Sequence, residues 1–521
     1  MKKISLKSIF SGASGDSFFL IFVRVITLVL GILITRVLSG HFSLQEYGTY
    51  SQVMLLITTI SSMITFGLMD GINYYFCREV EKERRDSYVS TIFGLQYIIG
   101  AFVSALVLLC TVPISNYFGN ESIKPLIIFA AVLPVIQNTI QLLQILFVAI
   151  GKAKQIAVRN FIVSILKLVA VTLSCYVFNN IAVVFLCQLL TDGLQVAYFI
   201  IVLNKNNCKI NLLRFNKSLI KEILTYCIPM AMFAVIKSLN RDANKFVISY
   251  FTDTETLAVY TNASKLLPFD IIMTSFVTVL IPYITRYLSQ KKYEQCHRLY
   301  KSFLELSYIA TTILAMGAIC VAPELMRFLY TEKYTTQGFA IIVFIIYIFV
   351  DIVGVLNITL LLTAAGKTKT IMFASVGAFA VNMILNIILF FAMGEVGPAL
   401  STLIVTIGQG ILLLSLGSKE LKTNIIKMFD VKYLLSFILQ LVVCSALAIW
   451  LRSILVTNNA HYIIVLMVVY ALFVGLLLLL NNRRLFKNFK FINSCKIEKK
   501  SSLKDKKKQA LFKQCLFLCC I

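Results

Sequence analysis

The sequence predicts an all-α integral membrane protein of about fourteen transmembrane helices: two parallel six-helix repeats plus two extra C-terminal helices. Three observations predict it. Apolar runs of about 20 residues recur along the whole chain, each able to cross a hydrocarbon core of about 30 Å as a helix. The 521 residues are 59% hydrophobic and only 14% charged, far from the roughly 25% charged of soluble domains. Lys and Arg, finally, collect in alternate loops, as they do beside membrane-crossing helices.

The runs lie near 17–38, 47–69, 88–114, 124–149, 156–178, 181–203, 224–251, 257–284, 302–322, 337–364, 370–392, 396–416, 433–452 and 461–481. Arg24 interrupts the first, and no small-x-small site follows before Arg36, so it reads as a retained helix and not a cleaved signal. The second opens on Glu46-Tyr47-Gly48-Thr49-Tyr50-Ser51, and the eighth on Thr256-Leu257-Ala258-Val259-Tyr260-Thr261, 210 residues later. After the fourth comes Ala149-Ile150-Gly151-Lys152-Ala153-Lys154-Gln155-Ile156, and after the tenth Ala364-Ala365-Gly366-Lys367-Thr368-Lys369-Thr370-Ile371, 215 residues on. Two matches at nearly equal offset relate helices 1–6 to helices 7–12. The expected domains are therefore 1–215 and 216–430, each a six-helix bundle, then helices 13 and 14 over 431–481 and a basic cytoplasmic tail over 482–521. An even number of crossings per copy leaves both copies in one orientation, the symmetry of transporters that bind between repeats and alternate access.

Net charge is +25, which resembles a nucleic-acid signature until its placement is considered. With the amino terminus inside, 38 of the 49 Lys and Arg fall in cytoplasmic segments. Lys124, Arg327, Lys333 and Arg452 fall in external loops, and the other seven lie within helices. Both termini are expected in the cytoplasm, and the tail reads as a solvated segment beside anionic membrane lipid. No nucleic-acid partner is expected. The thirteen Cys lack paired metal spacing and read as apolar filler. His41, His297 and His461 sit in predicted loops far apart in sequence. No Walker loop or nucleophile elbow appears, and no external loop is long enough for a catalytic domain. The chain is expected to be neither an enzyme nor a holder of cofactor or metal.

The candidate site follows from charges inside helices. Lys237, Asn240, Arg241, Asn244 and Lys245 fall within an arc of roughly 140° on the seventh helix at 100° per residue. Each buried Lys or Arg costs about 2.5–3.5 kcal/mol at a helix centre, so such residues face a watery cavity, a partner or a ligand; the simpler alternative, snorkelling, suits Lys245 better than Lys237 or Arg241. With Arg24 of the first helix and Lys265 of the eighth, this face is expected to hold a phosphate or pyrophosphate in a cationic central cavity. Asp242, Asp270 and Asp351 are read in two ways, as proton or sodium coupling groups or as neutralising partners of nearby cations. Lys167 and Asp192, on neighbouring helices, are expected to pair.

Thr35-Arg36-Val37-Leu38-Ser39 followed by Glu46-Tyr47-Gly48-Thr49-Tyr50, then Ile223-Leu224-Thr225-Tyr226-Cys227-Ile228-Pro229 leading to Arg241-Asp242 and Val259-Tyr260, resembles the polysaccharide flippases that translocate O-antigen and capsule repeat units in bacteria. The similarity covers residues 10–480. It implies the fold of the multidrug, oligosaccharidyl-lipid and polysaccharide exporters, a bacterial cytoplasmic membrane location, and transfer of a polyprenyl-pyrophosphate-linked oligosaccharide from inner to outer leaflet. Polymerase and chain-length proteins of the same pathway are implied as partners. Ala258-Val259 stands where a Gly is frequent in that family, and the basic tail is unusual for it. Other readings are a teichoic or teichuronic precursor exporter, a multidrug antiporter, whose cavity walls should be acidic and aromatic, and a membrane polymerase or ligase.

Overall fold

The computed structural model describes residues 13–65, 67–78, 81–149, 153–205, 215–265, 280, 283–354, 359–428, 431–455 and 462–480. The described residues form helices and turns without strands, as a lipid-spanning chain must when its backbone groups can be satisfied only within a segment. They divide into two compact units, one of Met1–Val259 with Leu329–Lys333, the other of Tyr260–Phe328 with Tyr334–Ile521.

The first unit contains α1 (Ala13–His41), α2 (Leu44–Thr65), α3 (Leu68–Arg78), α4 (Lys82–Leu109), α5 (Thr111–Phe118), α6 (Ile127–Ala149), α7 (Ala153–Leu173), α8 (Ile181–Lys205) and α9 (Lys217–Phe251). Helix α10 (Thr254–Ala263) begins there and ends in the second unit. Polar side chains tie these helices together. Gln96 donates to the Val135 carbonyl and to Thr139 Oγ1, and Ser104 donates to the Ala131 carbonyl, so α4 and α6 run antiparallel. Asn138 of α6 accepts from Ser61 and Thr65 of α2 at 2.9 and 3.0 Å. Asn120 donates to Thr49 and Gln52 at 2.9 and 2.7 Å. Where lipid is the surrounding solvent, apolar contact alone does not drive helices together, and such buried bonds help select the pairing. Val53, Ile57, Ile64, Leu133 and Phe185 fill the space between them.

The second unit contains α11 (Tyr293–Cys320), α12 (Ala322–Tyr330, which passes into the first unit at Leu329), α13 (Gly338–Gly354), α14 (Leu360–Ala364), α15 (Thr368–Met393), α16 (Gly397–Glu420), α17 (Val431–Leu455) and α18 (Tyr462–Leu480). Helices α15 and α16 form a hairpin turned at Gly394: Ser401 donates to Asn382 Oδ1 at 2.9 Å, and Gln409 reaches Ser375 at 3.4 Å. A Cβ on Gly397 would stand 2.1 Å from the Leu389 carbonyl oxygen, so this chain reversal leaves no room for a side chain. Phe437, Leu441, Tyr470 and Val474 join α17 and α18 to α11, and Tyr470 donates to the Ile313 carbonyl at 2.7 Å.

Six helical stretches among the described residues are long and apolar enough to cross a membrane, one being Lys369–Glu420, which is the α15–α16 hairpin. Shorter apolar helices such as Gly338–Gly354 fall below that length, and residues 266–279 lie outside the description, so the expected total of fourteen is not reached by this count. Phe102, Leu109 and Phe391 are strongly exposed on such stretches, as side chains facing lipid are. Helix boundaries depart from expectation in several places, the run 88–114 for one dividing at Cys110 into α4 and α5, and His41 closing α1 where a loop was expected. The run 47–69 breaks into α2 and α3. Helix α11 starts at Tyr293 and takes His297 into a helix. Lys265 leaves the eighth helix, because α10 closes with Ser264 N–H on Tyr260 O and Lys265 N–H on Asn262 O, three residues before Pro268, and helices tend to stop shortly before proline.

The two segments matched at an offset of 210 share their entry geometry. Ser43 caps α2 in a capping box, its Oγ accepting from Glu46 N–H at 3.2 Å while Glu46 Oε2 accepts from Ser43 N–H at 2.9 Å. Asp253, 210 residues later, caps α10 by accepting from Thr256 N–H at 2.7 Å. Both motif tyrosines, Tyr47 and Tyr260, are fully buried.

Candidate functional site

Helix α9 carries most of the predicted site. Asn216 caps its start by accepting from Ser218 N–H at 3.0 Å. Its 35 residues rise about 52 Å at 1.5 Å each, enough to span a bilayer with a turn or two to spare. It packs against α2, α3, α4 and α5 within the first unit.

One turn of α9 brings three charges together. The Asp242 carboxylate is buried, and its Oδ1 accepts from Lys245 Nζ at 2.8 Å. Its Oδ2 accepts from Arg241 Nη2 at 3.3 Å, and the same nitrogen reaches Ser238 Oγ at 3.3 Å. A buried carboxylate without partners would be costly; two cations share this one, so the turn keeps a net positive charge. Arg241 is the outward member, with 61% of its side-chain surface exposed, against 24% for Lys245. Its contact with Asp242 is longer than the 2.7–2.9 Å typical of strong charge-assisted bonds, so the guanidinium is lightly held. Asn240 is half-buried beside this turn and Asn244 is buried. Among its four described side chains, the stripe thus runs from an exposed edge at Arg241 to a packed edge at Asn244.

The other predicted residues belong to the second unit or have side chains outside the described residues. Lys265 is exposed past the end of α10, and Asp351 is buried in α13; both belong to the second unit. The side chains of Arg24 and Lys237, and Asp270 altogether, lie outside the described residues.

Lys167 of α7 and Asp192 of α8 form the expected pair, at 2.8 Å. Asp192 also accepts from Gln195 at 2.8 Å and from Gln137 of α6 at 3.4 Å. Arg159 extends the network: buried, it donates to Gln195 Oε1 at 2.9 Å, contacts Asn160, and lies 4.5 Å over the Phe199 ring. The sequence reading missed Arg159, counting it with the cytoplasmic loop charges. Its signal was available as register: Arg159 and Lys167 are eight residues apart and so share one helical face. Among the described residues, no group of three or more His, Cys, Asp or Glu could hold a metal ion.

Helices of bilayer length, with cations and carboxylates paired inside them, define a multi-helix integral membrane protein. The chain belongs to the polysaccharide biosynthesis protein family, whose sequence model matches residues 33–337. It is 21% identical over 262 residues to the probable lipid II flippase MurJ of Rickettsia prowazekii (strain Madrid E), a match covering 48% of this chain and 52% of that protein; the chain thus spans about half the length of the curated relative it matches. Its fold is similar to that of the lipid II flippase MurJ in an inward closed conformation, with a TM-score of 0.69 and 18% identity over 88% of this chain and 99% of that one. It is also similar to an inward-facing multidrug resistance MATE family transporter of the MOP superfamily, with a TM-score of 0.63 and 15% identity over 76% of this chain and 94% of that one. These relatives are flippases and a transporter rather than enzymes.

Proposed function

We propose that the protein is a flippase that moves a polyprenyl-pyrophosphate-linked oligosaccharide repeat unit from the inner to the outer leaflet of a bacterial cytoplasmic membrane, for surface polysaccharide such as O-antigen or capsule. The observation that carries this reading is the net-cationic turn of α9, where Asp242 is shared between Lys245 and an outward Arg241. Arg offers a forked donor and Lys a point charge to a pyrophosphate, and the lightly held guanidinium can exchange its bond to Asp242 for one to the cargo. Lys237, Asn240, Asn244, Arg24 and Lys265 are proposed to complete the binding surface, with alternating access between two six-helix repeats and both termini cytoplasmic. Membership of a polysaccharide biosynthesis family and the fold shared with a lipid II flippase support this reading. In it Asp242 acts as a neutralising partner, and Asp270 and Asp351 remain the candidates for ion coupling. A multidrug antiporter of the same fold is the alternative; the positive sign of the α9 turn disfavours a cationic drug.

The test is complementation in a host lacking its own translocator. Arg241→Ala is expected to lower surface polysaccharide and accumulate the lipid-linked intermediate at normal membrane abundance. Full export by that variant would remove Arg241 from the site.

A further inference from the structure

We propose that the C-terminal end of α9 holds a sugar-binding cleft that receives the first sugar of the cargo while the basic turn below holds its pyrophosphate. The inference rests on the flippase reading and deepens it. A cleft of about 480 Å³ opens between α9, α5 and the starts of α2 and α10, all within the first unit. Its aromatic wall is Tyr117 and Tyr250, with ring centroids 5.4 Å apart and both rings partly exposed. Tyr117 is fixed by donating to the Phe246 carbonyl at 2.9 Å; burial first, and then the neighbouring Tyr250 phenol, push the Tyr117 phenol up, so it stays a donor. Such a wall suits the apolar C–H face of a pyranose. Gln45, Asn116 and Glu255 also line the cleft, supplying the mixed donors and acceptors that a ring of hydroxyls requires.

A second, independent observation points to a ligand. Ser249 lines the cleft, is 3% exposed, and its Oγ has no hydrogen-bond partner. A buried hydroxyl left unpaired costs about 1–3 kcal/mol, so an unpaired one in a cleft wall marks a place for an incoming partner. The charges agree. Asp253 and Glu255 are the charged lining residues, and no Lys or Arg is among them, so the cleft repels phosphate and accepts a neutral or amino sugar.

The spacing links the two sites. Arg241, Lys245 and Ser249 follow at intervals of four on one side of the helix, and Lys245 to Ser249 is one turn, about 6 Å of rise. That is about the reach from a phosphate to the ring of the sugar it esterifies. Under the proposed orientation this end of α9 is the outer one, so the cleft would take the sugar as the cargo reaches the outer leaflet.

The experiment uses the full chain in lipid nanodiscs, without maltoside detergent. Saturation-transfer NMR is recorded with methyl glycosides of glucose, galactose, rhamnose and N-acetylglucosamine at millimolar concentration, and inorganic pyrophosphate binding is titrated in parallel. Wild type is expected to saturate at least one glycoside, most strongly along one ring face. Tyr250→Ala should weaken that signal about fivefold, the scale of one aromatic contact, with pyrophosphate binding unchanged. Ser249→Ala should weaken glycoside binding while leaving the sugar-free protein as stable as before or more so. Arg241→Ala should do the converse of Tyr250→Ala, losing pyrophosphate and keeping the glycoside. Pyrophosphate binding without any glycoside signal in wild type would overturn the cleft and leave the flippase reading standing. A glycoside signal indifferent to both Tyr250→Ala and Ser249→Ala would also overturn it, assigning the Ser249 hydroxyl to water alone.

Discussion

Gly48 and Thr254 meet backbone to backbone. A Cβ on Gly48 would lie 2.1 Å from the Thr254 carbonyl oxygen and 2.6 Å from its Cγ2, so the Tyr47-Gly48 motif serves as the seat for the turn joining α9 to α10. Gly48→Ala must push that turn away, and overpacking of this kind costs about 1–3 kcal/mol. Lower thermal stability in detergent, measured by thiol-probe unfolding, is expected; an unchanged transition would contradict the close contact.

Asp242 and its two cations make the second prediction. Asp242→Asn leaves Lys245 and Arg241 without their carboxylate in a half-buried turn, and such loss of one partner is destabilising. The variant should lose membrane abundance, and whatever transport remains should keep the wild-type pH profile. A normally abundant variant with altered pH dependence would instead make Asp242 a coupling group.

For Lys167 and Asp192 the prediction is non-additivity. Lys167→Met or Asp192→Asn alone strands one charge in a network containing buried Arg159. The double variant should be more stable than the sum of the singles predicts, with a coupling of at least about 1 kcal/mol, since the pair shares a close, partly buried contact. Additive losses would mean the 2.8 Å contact carries no stability.

Lys333 predicts a pH effect. It donates to the carbonyls of Phe42 and Gly40, beside the α2 capping box; burial lowers its pKa, and Glu46 opposes that in part. A base whose folded pKa is depressed leaves the unfolded chain binding more protons, so stability rises with pH between the lowered value and the ordinary lysine value. Lys333→Met should remove that alkaline rise in thermal stability while costing stability through the two orphaned carbonyls. An alkaline rise equal to wild type would contradict the assignment.

Much of this was legible in the residues, for physical reasons. Apolar runs report helices directly, since lipid forbids other open backbone, and the described parts of the expected runs from 17–38 to 461–481 are mostly helix, with breaks such as those at Gly67, Cys110 and after Ala263. The Lys167–Asp192 pair was legible because two opposite charges inside neighbouring helices have few other ways to be neutralised. Arg241 and Lys245 were legible as a face, and Asp242 as a neutralising partner of nearby cations was one of its two readings; that Lys245 takes a share of it was not, because a 100° wheel gives direction but not which rotamer spans one turn. Arg159 escaped because loop counting assigns by position, whereas its burial depends on Gln195 and Phe199 of another helix. The cleft escaped because Tyr117, Ser249 and Gln45 converge from three segments far apart in sequence.

Whether the α9 cations hold the phosphate of the cargo is decided by reconstituted transport. Proteoliposomes are loaded with a fluorescent polyprenyl-pyrophosphate disaccharide, or with the same disaccharide on a phosphate-free polyprenyl ether, and leaflet transfer is timed by quencher access. The account predicts that wild type moves the pyrophosphate-linked lipid, that Arg241→Ala/Lys245→Ala does not, and that the ether is moved by neither. Equal transfer of the pyrophosphate lipid by wild type and the double variant would contradict it.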